Sequence, residues 1–240
     1  MKRQIPDPTN GYVNYLDQAD AQAQGLYQIQ GNQVYIGVDY TSHLDPNGRG
    51  RNSVRLQSNP SYTHGLIIGD FQHIPSSACG SWPAFWTVGP NWPHSGEIDI
   101  IEGVNANAQN QMTLHTAPGC TVSVGPGGQA GTSIGDPNCG DGGGYNGCPV
   151  VNYLGTSYGT GFDAAGGGVY ATQWTSQFIK IWYFPYNQIP ADITNGNPNP
   201  DRWGTPSANF GGCNFDSFIF NQQIIFDVSG PTVSYDGESS

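Results

Sequence analysis

Glycine and proline occur 35 and 18 times in 240 residues and are spread along the whole chain, which leaves few stretches long enough for a regular helix. Short strands joined by turns are what fits between such breaks. Val34, Ile36, Val38 and Tyr40 alternate with Gln33, Tyr35, Gly37 and Asp39, a period of two that predicts a half-buried strand. Segments 64–71, 83–88, 96–102, 112–116, 178–184 and 218–227 are predicted as further strands, each bounded by Gly, Pro, Asn or Ser. The best helical pattern is the short, alanine-rich stretch Asp17 to Gln24. Residues 119–170 carry little pattern but hold Cys120, Cys139 and Cys148, and read as stapled loops beside a sheet. Many strands with turn signals between them predict an all-β sandwich or jelly roll. With no linker or repeat, residues 1–240 form one predicted domain, ending in a polar tail from about residue 229.

Charge narrows the partner. Seven lysines and arginines stand against eighteen acids, a net charge of −11, which argues against nucleic acid and against an anionic membrane surface. No apolar run approaches the ~20 residues of a membrane helix. A neutral partner fits. The five cysteines, Cys79, Cys120, Cys139, Cys148 and Cys213, lack the paired spacing of a zinc site and predict two disulfides with one thiol left over, in any of fifteen arrangements. Disulfides imply an extracellular setting, although Met1-Lys2-Arg3 runs into Gln4-Ile5-Pro6-Asp7-Pro8 without the apolar stretch of a signal peptide.

Only three of the eighteen acids are glutamate, and two of them, Glu97 and Glu102, lie in one segment, Gly-Glu-Ile-Asp-Ile-Ile-Glu-Gly (96–103). In a regular strand Glu97 and Asp99 share one face, while Glu102 falls among the isoleucines on the other. A β-bulge between Asp99 and Glu102 corrects this and brings all three acids to one surface. Over five residues the glutamate Cα atoms stand roughly 13–16 Å apart, and carboxyls leaning inward reach the ~5–5.5 Å separation of retaining glycosidases; the wider inverting separation also stays open. Asp99 between them supplies charge and a hydrogen bond that raise a neighbour's proton affinity. Trp82, Phe85, Trp86 and Trp92 precede the segment, and flat aromatic faces suit the C–H faces of sugar rings, although tryptophans more often pack a core. His115, one strand later, could sit beside Glu102, although a lone histidine is usually structural.

These residues resemble a known family. The 96–103 segment is similar to the active-site signature of glycoside hydrolase family 16, in the longer form carried by laminarinases. The stretches 80–86, 104–105 and 112–116 around it resemble the fungal endo-β-1,3(4)-glucanases of that family, as do 7–9, 13–15, 50–55 and 203–206. The likeness runs over about residues 6 to 228. It implies a concanavalin-like jelly-roll sandwich of two curved antiparallel sheets with a substrate cleft on the concave face. It also implies Glu97 as nucleophile, Glu102 as general acid and then base, Asp99 assisting, and His115 near the acid/base. Trp82, Trp86 and Trp92 are expected at sugar subsites, with Arg51 and Asn52 beside the cleft. The reaction expected is retaining endo-hydrolysis of β-1,3 or mixed β-1,3/1,4 glucan by a secreted monomer that needs no metal or cofactor. The chain departs from the family pattern at both ends. It lacks an aromatic-rich strand before Asp7 and a Cys-Gly-Asp-Trp segment after Asp227, so terminal strands, a cleft tryptophan and a cysteine are expected to be missing, as in a truncated product.

Three other readings compete. A transglycosylase would pass the same glycosyl intermediate to a sugar instead of water. A glucan-binding module on the same sandwich would need the aromatic cleft but not the Glu-x-Asp-x-x-Glu strand. A calcium site at the three acids is disfavoured by the neighbouring isoleucines and the lack of further oxygen-bearing turn residues.

Overall fold

The structure, a computed structural model, describes residues 7, 11–45, 48–75 and 77–230. Strands β1 (Val13–Tyr15), β2 (Tyr27–Gln30), β3 (Gln33–Ile36), β4 (Arg51–Ser53) and β5 (Arg55–Gln57) come first. They are followed by β6 (Gly65–Phe71), β7 (Trp82–Val88), β8 (Glu97–Glu102), β9 (Asn110–His115), β10 (Ser123–Val124) and β11 (Thr132–Ser133). The last are β12 (Cys148–Asn152), β13 (Gly168–Trp174), β14 (Phe178–Pro185), β15 (Ala208–Gly211) and β16 (Gln223–Ser229). Helices are short: α1 (Gln18–Ala23), α2 (Gly159–Ala164) and α3 (Ala191–Thr194).

Two antiparallel sheets form the body among the described residues. One has seven strands in the order β11-β12-β9-β8-β7-β16-β5, the other five in the order β10-β15-β14-β13-β6. The side-chain period of two explains how they pack. Phe85, Ile98, Met112 and Leu114 of the first sheet meet Tyr170, Trp174, Ile179, Ile181 and Phe210 of the second in one buried core. Each fully buried aliphatic side chain there contributes about 1.5–3 kcal/mol relative to exposure. The outer face of the five-stranded sheet has its own apolar layer, where Val169, Ala171 and Trp182 are covered by Trp203. The remaining face, that of the seven-stranded sheet turned away from the core, carries the acids. The fold is the all-β jelly-roll sandwich expected.

Several elements depart from the sequence reading, each for a physical reason. The 33–40 strand stops at Ile36 and pairs with β2 as a hairpin. Tyr27 and Ile36 pack on the Ala21, Leu26 and Val54 cluster, but Ile29 and Val34, paired farther out on the same face, lie 69% and 56% exposed. The 218–227 strand begins only at Gln223, because Asn221 takes a positive φ of 53° just before it. Residues 119–170 hold more than loops. β13 runs between β14 and β6, and Val169 to Thr172 are all buried, so no alternation marks them. Helix α1 forms where its alanines suggested, with Asp17 Oδ1 accepting from the Asp20 N–H at 3.0 Å and Ala21 fully buried.

The disulfides are Cys120–Cys213 and Cys139–Cys148, leaving Cys79 as an exposed thiol. Strand β16 lies inside the seven-stranded sheet, between β7 and β5, and runs through Ser229. The remaining expectations about both chain ends concern residues 1–6 and 231–240, which lie outside the described residues.

Candidate active site

Strand β8 positions the acids, and its local packing dictates how. Ile98, Ile100 and Ile101 are all buried, at 0%, 0% and 2% exposure. A regular strand cannot turn both Ile100 and Ile101 into the core. The register against β7 shifts between Phe85 and Trp86, with Ile101 opposite Phe85 and Asp99 opposite Trp86, so Ile100 is the extra residue of a bulge. Beyond it Glu102 faces Ala84, while Glu97 faces Val88 and, on β9, His115. Glu97, Asp99, Glu102 and His115 therefore share the face turned away from the core.

One carboxylate oxygen from each of Glu97 and Asp99 and one ring nitrogen of His115 lie within 4.8 Å of one another. His115 Nδ1 is 2.7 Å from the Gly144 carbonyl, an acceptor, which makes Nδ1 the protonated nitrogen. Nε2 stands 3.0 Å from Asp99 Oδ2. The sequence reading put His115 on Glu102; the structure turns its ring to Asp99, because the bulge carries Glu102 past the end of the β8–β9 ladder. Gly147 permits this approach. Its φ is 63°, and a Cβ there would sit 2.6 Å from Thr113 Cγ2 and 2.8 Å from the His115 ring. Glu97, Asp99 and His115 are also the three groups among the described residues whose donors converge enough to hold a cation.

Burial raises all three carboxyls. For Glu97 it is reinforced by repulsion from Asp99, and for Asp99 by repulsion from Glu102. Glu97 and Asp99 also hydrogen-bond to each other, so the pair shares a proton. For Glu102 burial is the raising cause, partly offset by the nearby His115 and by the Trp82 indole, whose Nε1 donates to Oε1 at 2.9 Å. A carboxyl that keeps its proton toward neutrality is what a general acid requires.

The tryptophans are placed differently from one another. Trp82 meets Glu102 through its N–H edge rather than serving only as a sugar platform. Trp86 is 7% exposed; Arg55 lies 4.7 Å over its ring, and its Nε1 donates to Asp227 Oδ1 at 3.3 Å, so its face is covered. Trp92 is half-buried and packs edge-on against Tyr145, 4.9 Å between centroids. Arg51 and Asn52 are not brought to the acids. Arg51 binds the Ser42 carbonyl and Asn52 binds Gln24 and Asn14, which spends both on fastening the N-terminal segment.

Four residues in and around the site escaped the sequence reading. Arg55 pairs with Asp227 at 2.6 Å with both side chains buried, and its Nε is a buried donor with no protein partner. Tyr145 is 77% exposed beside Trp92, and Asn110 is fully buried at the bulge. An arginine inside a strand was a usable signal in a chain with seven cations; Asn110, in a run of polar residues, had none.

Burial pushes the Asp227 carboxyl up to about 6, against the opposing pull of Arg55 and the Trp86 hydrogen bond. With Glu97, Asp99 and Glu102 it forms a set whose native pKa values exceed the unfolded ones. Between about pH 4 and 6 the native state then binds more protons than the unfolded chain, and the stability this contributes is lost as pH rises through the native values. Asp39 acts in the opposite direction, held low mainly by its Ser42 hydrogen bond, and matters only in stronger acid. The melting temperature should therefore be higher at pH 5 than at pH 7 by calorimetry; a lower value at pH 5 contradicts these shifts.

A family profile described as the XgeA-like, catalytic GH16 domain matches residues 3–230. A probable endo-1,3(4)-β-glucanase of Aspergillus fumigatus is 49% identical over 225 residues, 93% of this chain and 34% of that protein. The chain thus spans about a third of the length of most curated relatives it matches and half of one. Among solved structures, an elongating family 16 β-1,3-glucosyltransferase is 45% identical, with a TM-score of 0.86 over 93% of this chain and 75% of its own. Laminarinase 16A of Phanerochaete chrysosporium, solved with 6-O-glucosyl-laminaritriose in its donor and acceptor sites, is 40% identical, with a TM-score of 0.88 over 94% of this chain and 78% of its own.

Proposed function

The chain belongs to glycoside hydrolase family 16, and on that premise we propose that it is a retaining endo-β-glucanase acting on β-1,3 or mixed β-1,3/1,4 glucan. The observation that carries this is the bulge at Ile100, which sets Glu97 and Glu102 on one face with Asp99 between them.

In the first step the Glu97 carboxylate attacks the anomeric carbon while Glu102 gives its proton to the departing glycosidic oxygen, leaving a glycosyl ester on Glu97. Asp99 holds the proton shared with Glu97 away from the attacking oxygen, and His115 Nε2 faces the Asp99 carboxyl at 3.0 Å. In the second step the Glu102 carboxylate takes a proton from water, which displaces Glu97 and restores the β configuration. A neutral polysaccharide fits a chain of net charge −11, since it is not repelled. Trp92 with Tyr145 supplies aromatic surface for sugar rings. Two disulfides support an extracellular setting, and no helix among the described residues is long and apolar enough to cross a membrane.

A second reading has its own support: the 45% identical structure is a glucosyltransferase, and a sugar acceptor in place of water would make this chain one too. Incubation with laminarin, lichenan and cellulose, with products followed by reducing-end release and chain length, tests both. Hydrolysis predicts new reducing ends from laminarin and lichenan. Chains longer than the substrate favour transfer, and release from cellulose alone overturns the substrate assignment.

A further inference from the structure

The β8–β9 ladder pairs Glu97 with His115, Ile98 with Leu114 and Asp99 with Thr113, and then stops. Strand β9 continues to Asn110, yet from Met112 onward its registered partners are on β12 alone. Glu102 therefore stays paired to Ala84 of β7 but has no main-chain pairing to β9. A single side chain spans the gap: Asn110 Nδ2 donates to the Ile100 carbonyl at 2.8 Å, and its Oδ1 accepts from the Glu102 N–H at 2.9 Å. One amide so supplies both the donor and the acceptor that a strand peptide would have offered.

Asn110 is itself held. It is fully buried, and its own N–H donates to Ser157 Oγ at 3.1 Å, which in turn donates to the Asn152 carbonyl at 2.9 Å. On the side away from β7, Asn110 holds the Glu102 backbone, and Trp82 holds its carboxyl. We infer that Asn110 is a positioning residue for the acid/base: it replaces the ladder lost at the bulge and fixes the backbone from which Glu102 reaches the glycosidic oxygen. This rests on the reading of Glu102 as acid/base. The site calls for asparagine. Aspartate would lose the donor to Ile100 and add a fourth buried carboxyl near three whose charges already oppose one another.

The test compares laminarin, whose leaving group needs a proton, with a 2,4-dinitrophenyl β-laminaribioside, whose leaving group does not. The quantity read is kcat/KM, which reports the first glycosyl transfer. Asn110→Ala and Asn110→Asp should lower kcat/KM on laminarin about 10²-fold, in the range of lost general-acid catalysis, and leave the dinitrophenyl substrate within about fivefold. Equal losses on both substrates would mean a merely structural role and overturn the proposal, as would no loss on either. Asn110→Asp keeps the side-chain volume and is the variant read if Asn110→Ala does not fold. Glu102→Ala separates the two levels: if it discriminates between the substrates and the Asn110 variants do not, the proposal alone falls. If Glu102→Ala does not discriminate, the acid/base assignment falls and the role of Asn110 with it.

Discussion

Glu97→Ala is expected to lower laminarin turnover on the order of 10⁴-fold or more, and Glu102→Ala by about 10²–10⁴-fold. With an activated aryl glucoside and azide the two variants should regain turnover and give opposite products. Without Glu97, azide enters the vacated space and displaces the leaving group once, giving the α-glycosyl azide. Without Glu102 the ester still forms on Glu97, and azide displaces it from the other face, giving the β-glycosyl azide. The assignment follows the order of the two glutamates in the family signature; burial raises both carboxyls, and they differ in partner, Glu97 meeting Asp99 and Glu102 the Trp82 indole N–H. Reversed azide products would exchange the two roles.

The second large effect separates the disulfides. Cys120–Cys213 closes a 93-residue separation and Cys139–Cys148 one of 9. Loop-closure entropy then assigns about 4.7 and about 2.6 kcal/mol to their removal. At roughly 2–4 °C per kcal/mol for a chain of this size, Cys120→Ser with Cys213→Ser should lower the melting temperature by about 9–19 °C, and Cys139→Ser with Cys148→Ser by about 5–10 °C. Activity should rank the other way. The shorter loop carries Gly144, whose carbonyl holds His115 Nδ1, and the Cys139 carbonyl accepts from the Thr116 N–H at 3.0 Å, next to His115. Opening that loop frees the histidine that faces Asp99. Below both melting temperatures, kcat on laminarin should therefore fall more for the Cys139/Cys148 pair. A larger activity loss for the Cys120/Cys213 pair would remove the loop from the account of the site.

How much of this was legible in the sequence depends on how far each signal reached. The bulge could be read from Gly96 to Gly103 because two adjacent isoleucines and two glutamates cannot all satisfy a period of two, and a local contradiction has a local solution. Strand β13 could not, because a strand buried on both faces loses the alternation that reveals strands. The exposure of Val34 was hidden for the reverse reason: its alternation is real, but the core that should cover it ends at Ile36 and Tyr27. At the site, Arg51 and Asn52 stood in the right stretch, yet Arg55 on the next strand is the residue that crosses to Asp227, 172 positions away. Long-range pairings of that kind, including His115 on Asp99 and Asn110 on Glu102, follow from sheet register, which the order of residues alone does not fix.

The central claim is double displacement through Glu97 and Glu102. It is tested most directly by proton NMR of the first product released from laminarin, recorded before the reducing end mutarotates. Accumulation of the β-anomer first is the predicted result. Initial formation of the α-anomer would mean single displacement by water and would contradict the nucleophile, the intermediate and the two-step use of Glu102 together.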